Sequence, residues 1–172
     1  MADKMASKDN FANKFYGKVV ESAANTLTFA EIKTNVSIFE KAAWVLHRLE
    51  FYLSPTDLAK LLGGGDSLKM AFTMTDKITS LGLDSAGVID MLELQHHNLT
   101  SVGFSDIQFP VIRDFTGLPG GGIIIAPRPL FVAAQGVSLA TAITIEVRGY
   151  FTMMALSADQ YLDLVDFYRI VS

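Results

Sequence analysis

Residues 142–154 read AITIEVRGYFTMM, and they alternate almost without a break. Ile143, Ile145, Val147, Phe151 and Met153 fall on one side, while Thr144, Glu146, Arg148, Tyr150 and Thr152 fall on the other. Successive side chains of a strand point to opposite faces, so the stretch sorts into an oily face and a mixed one. A helix would scatter the same residues around its circumference. The segment predicts a strand covered on one side by a second layer.

The same period recurs upstream. Leu68, Met70, Phe72 and Met74 alternate with Lys69, Ala71, Thr73 and Thr75. Val45, Leu49, Phe51 and Leu53 mark another strand, with His47 on their oily side, and residues 27–33 a further one. Ile107, Phe109 and Val111 flank Pro110, whose missing N–H suits an edge strand or a bulge. Residues 88–97, VIDMLELQHH, fit a strand or a short helix.

Helices enter only where capping chemistry appears. In SPTDLAKLLGGG (residues 54–65), Ser54 caps, Pro55 takes the first helical position, Asp57 faces the positive end, and Gly63 supplies the stop. In SADQYLDLVDFYRIVS (residues 157–172), Ser157 and Gln160 have capping-box spacing. Tyr161, Leu164, Val165 and Tyr168 form an apolar stripe at helical spacing. Residues 48–62 and 149–165 thus echo one another as strand, capping serine and leucine-rich helix, read as two strands leaving one sheet edge. About eight strands with two short helices predict an all-β sandwich occupying residues 15–172. Residues 1–14, polar and of mixed charge, read as a flexible arm able to tie one subunit to another.

Each stretch that could carry chemistry has a plainer reading. The run LPGGGIII (residues 118–125) has the glycines of a phosphate loop, but β-branched residues follow where a helix with Lys and Ser/Thr is required. It predicts a turn. Residues 63–65, a second glycine run, follow a helix and do not open one. His96 and His97 are adjacent and would point opposite ways on a strand, and His47 reads as a satisfied core histidine. Asp90, Glu93, Asp106 and Asp114 read as solvated carboxylates, and no GxSxG elbow occurs. Trp44, Phe51 and Tyr52, like Phe11, Phe15 and Tyr16, read as residues of core or interface packing, because only Arg48 offers the basic partner of a base-stacking platform. No catalytic, cofactor-binding or metal-binding residue is assigned.

Composition bounds the partners. Half of the 172 residues are hydrophobic and 19% are charged, which fits either a well-filled core or burial against further copies of the chain. A net charge of −4, with no run of three basic residues, argues against general nucleic-acid binding. The absence of cysteine removes disulfides and thiolate chemistry and leaves the redox compartment open. The longest apolar run, residues 123–134, is broken by Pro127, Arg128 and Pro129 and falls short of a membrane span. The first residues lack the apolar core of a signal peptide, so the chain is expected to begin near Met1 and remain where it is made. Asn35-Val36-Ser37 and Asn98-Leu99-Thr100 are then chance matches to the glycosylation pattern.

The C-terminal stretch, DFTGLPGGGIIIAPRPLFVAAQGVSLATAITIEVRGYFTMMALSADQYLDLV (residues 114–165), resembles the end of small single jelly-roll coat proteins of tailless icosahedral viruses. The likeness lies in the glycine turn, the proline-broken apolar strand, the small-residue turn AAQGVSLATA, and the long strand with Arg148 and Tyr150. It includes viruses with paired small and large coat proteins and an internal membrane. The resemblance implies a single jelly roll of two four-stranded sheets. It also implies a non-enzymatic capsid subunit of the virion, assembling with copies of itself or with a second coat protein and touching membrane or genome only indirectly. No arginine-rich arm is present, unlike in many RNA-virus coat proteins. Two other readings stand beside it. One is a carbohydrate- or ligand-binding sandwich working through loops 63–66 and 117–122. The other is a cupin-like metal enzyme using His47, His96 or His97.

Overall fold

The computed structural model describes residues 12–33, 42–61, 65–82, 84–96, 109–126 and 128–171, with side chains described as far as residue 166. The chain forms β1 (Asn13–Val20), β2 (Thr28–Ile32), β3 (Ala42–Leu53), α1 (Pro55–Leu58), β4 (Ser67–Thr73) and β5 (Val88–Gln95). There follow β6 (Val111–Asp114), β7 (Ile123–Ile125), β8 (Leu130–Val137), β9 (Thr144–Ala155) and α2 (Ala158–Val171).

One sheet has the order β1-β9-β3-β6, with β7 also on β3; the other runs β2-β8-β4-β5, and all pairs are antiparallel. β6 pairs Arg48–Phe51 and β7 pairs Trp44–Leu46, so they are two halves of one interrupted edge strand. Counted that way, each sheet is four strands wide, and the chain crosses from sheet to sheet in the wrapped Greek-key order of a jelly roll. The expected single jelly-roll sandwich is what forms. No helix among the described residues is long and apolar enough to cross a membrane.

The alternation explains the core. Ile143, Ile145, Val147 and Phe151 of the β9 region meet Leu68, Met70 and Phe72 of β4 between the layers. Phe15, Trp44, Phe72 and Phe151 stack there, with Trp44 and Phe151 rings 4.0 Å apart. Gly149 makes that stack possible, because a Cβ at this position would overlap the Phe15 ring. On the far side of the second sheet, Leu81 from the β4–β5 connection covers Ala71 and Ala133 in a smaller cluster.

β3 departs from simple alternation. Its register against β9 shifts between Leu46 and Arg48, leaving His47 as the extra residue of a bulge. Trp44 and Leu46 therefore face the core before the bulge, and Leu49, Phe51 and Leu53 after it. Val45 is buried but lies outside that core. The expectation that Val45 and His47 share the oily face with Leu49 is corrected for this reason.

Other boundaries also move. Residues 88–95 form a strand, which resolves the helix-or-strand ambiguity. β1 takes in Asn13 and Lys14, which pair with Phe151 and Tyr150 and so do not belong to an arm. Pro110 precedes an edge strand, as its chemistry suggests. α1 is a single turn capped by Ser54, while α2 carries the expected reciprocal capping bonds between Ser157 and Gln160, 3.1 and 3.2 Å long. β3 and β9 are antiparallel neighbours, so the two echoing helices leave opposite ends of the sheet and not one edge. Residues 1–11, including Phe11, lie outside the described residues, as do Gly63, Ile107, both Asn-X-Ser/Thr sites and the Tyr168 side chain.

Candidate functional site

The glycine run is a loop between half-strands. Residues 115–122 leave β6 and return as β7 along the same edge of β3. Gly120 and Gly121 have φ of +86° and +76°, which side chains rarely adopt, and a Cβ on Gly122 would lie 2.5 Å from the Leu46 carbonyl oxygen. No helix follows, so the N–H groups have no phosphate-loop arrangement.

His47 anchors this loop. Its Nδ1 lies 2.7 Å from the Gly121 carbonyl oxygen and its Nε2 2.9 Å from Thr152 Oγ1 on β9. The His47 carbonyl also accepts from Phe115 N at 2.8 Å. Both ring nitrogens are occupied by structural bonds, so this histidine is satisfied, though on the outer side of the sheet. His96 directly follows β5 and exchanges backbone bonds with Gly65 and Asp66; His97 lies outside the described residues. Among the described residues, no three His, Asp or Glu side chains converge as a metal site would require.

The carboxylates divide by environment. Asp90 is buried and forms a two-pronged bond with Arg113, 3.0 Å to each oxygen. The pair joins β5 of one sheet to β6 of the other across the open side of the sandwich, which corrects the expectation of a solvated Asp90. The bonds and charge of Asp90 raise the Arg113 guanidinium above its ordinary pKa. Asp114 accepts from the Thr116 hydroxyl and backbone N–H, which hold its carboxyl below the usual range. Glu93 is exposed and accepts from Gln95; Asp106 lies outside the described residues.

The aromatic residues split as well. Phe15, Trp44 and Phe51 are buried in the core, while Tyr16 is 55% exposed and Tyr52 39% exposed. They flank a cavity of about 320 Å³ on the outer face of the first sheet, with Glu50, Glu146, Arg148 and Pro110 also lining it. Strand register builds this site: Tyr16 lies opposite Arg148, Arg148 opposite Glu50, and Tyr52 opposite Glu146. Glu50 receives Arg48 at 2.6 Å and Arg148 at 3.6 Å, while Lys18 reaches Glu146 at 3.4 Å. Partial burial, then the hydrogen bond to Glu146, raise the Tyr16 phenol above its ordinary pKa. A hydrogen bond to Tyr150 likewise raises Arg148.

The arrangement offers two aromatic walls and a floor of paired charges, without an activated nucleophile. It lies on the outer face of the first sheet. Sequence reading placed Glu146, Arg148 and Tyr150 on one face; it had no signal for the register that adds Tyr16, Glu50 and Tyr52. No protein-family model and no curated protein matches the sequence.

Proposed function

We propose that this chain is a capsid subunit whose work is self-assembly into an icosahedral virion shell, with copies of itself and with a second coat protein where one is present. The observation that carries this reading is a jelly roll bearing apolar side chains that its own core does not cover. Ile112 and Leu118 at the β6–β7 margin are 50% and 46% exposed, and Leu162 on α2 is 59% exposed. A separate hollow where α2 meets β7 and β9 is lined by Ile124, Met154, Leu156 and Leu164, with Gln160 and Asp163. Single exposed leucines are ordinary; several large apolar side chains left uncovered on one small domain give surface that contacts between subunits can use. Stable contacts between subunits bury on the order of 800 Å² per partner and favour such apolar centres. The net charge of −4 suits indirect rather than direct contact with genome or membrane.

Sedimentation velocity over a rising concentration series tests the reading. Multi-subunit species that grow with concentration are expected; a monomer throughout would overturn it.

A further inference from the structure

We propose that the groove between Tyr16 and Tyr52 binds a neutral oligosaccharide, a role independent of shell assembly. The two rings stand on β1 and β3 with β9 between them, offset by two residues along β9. Two strand spacings and two residue rises place them roughly 12 Å apart, the span of a short sugar chain. Sugars present C–H faces that lie on aromatic rings and hydroxyls that pair with carboxylate and guanidinium groups. Tyr16 and Tyr52 supply the rings; Glu50, Glu146 and Arg148 supply the floor.

Charge selects among ligand classes. Arg48, Arg148 and Lys18 stand against Glu50 and Glu146, and Asp114, opposite Arg48 on β6, supplies the third negative charge, so the groove and its rim carry no net charge that draws in an anion or a cation. The cavity of about 320 Å³ is at the small end of ligand sites and open enough for a chain to run through.

Saturation-transfer NMR on the full chain with maltotriose, cellotriose and lactose, and with sialic acid as the anionic comparison, tests this. Transfer to at least one neutral sugar is expected, with affinity falling about tenfold in Tyr16→Ala and in Tyr52→Ala. Tyr16→Phe, which keeps the ring, should stay within about threefold of the parent, and Asp159→Ala on α2 should change nothing. Circular dichroism checks folding. If either truncation unfolds, Glu146→Gln is read instead and is expected to weaken binding by a similar factor. The proposal is overturned by transfer to none of the three sugars, by affinity that survives the tyrosine truncations or Glu146→Gln, or by binding confined to sialic acid.

Discussion

At Glu21, just past the end of β1, one buried carboxylate holds two distant segments. Its Oε1 accepts from Gly136 N at 2.6 Å and its Oε2 from Ile143 N at 3.1 Å, while its own N–H donates to the Ile143 carbonyl. Glu21→Ala leaves two buried N–H groups without an acceptor and is expected to cost about 2–4 kcal/mol, read as a fall in urea midpoint. Glu21→Gln, with one acceptor oxygen left, should cost less. None of this was legible in the sequence, because the partners lie 115 and 122 residues away. Asp57 is the other local tie. Its carboxyl accepts from Ser54 and from Lys60, which also reaches the Ala142 carbonyl. Burial pushes the Asp57 pKa up, but the bonds from Lys60 and Ser54 outweigh it and hold it below the ordinary value. Such a group stabilises the fold fully above its unfolded pKa of about 4, and that contribution is lost as pH falls through the lower folded value. Thermal melts between neutral pH and pH ~3 should show Asp57→Asn less stable than the parent at neutrality, with the gap closing in acid.

Elements were legible in proportion to their regularity. The alternation of residues 142–154 and of Leu68 to Thr75 translated directly into β9 and β4, because both faces are set by local period alone. β3 was misread on one side of His47, since a bulge is decided by pairing with β9 and leaves no mark on β3 itself. The glycine loop was legible as a turn, though not as the interruption of an edge strand. Gly122→Ala forces a Cβ against the Leu46 carbonyl at the point where β7 rejoins β3. A loss of about 1–3 kcal/mol is expected, measured by chemical denaturation. α2 was recognised by its capping box; on its stripe Tyr161 and Leu164 are half-buried and Val165 is exposed, while Leu162, off the stripe, is the most exposed large apolar residue described on the helix. Leu162→Asp should leave the melting temperature within about 2 °C of the parent while reducing assembly, because the side chain packs against nothing in the core.

For the whole molecule, the jelly roll follows from two half-buried sheets that can hide their oily faces only against each other. The sequence carried that much in its period. The groove was not legible, because Tyr16, Tyr52 and Glu146 come from three strands whose register no local pattern specifies. The exposed Ile112, Leu118 and Leu162 were anticipated only as an apolar excess, with no indication of where it would surface. A fold shared by many activities does not fix a function, so the coat-protein reading stands on those uncovered side chains and on what they do in solution. Electron microscopy of the purified full chain under assembly conditions measures this most directly. The account predicts closed, symmetric particles or rings with α2 in the subunit contacts; a field of isolated monomers at every concentration would contradict it.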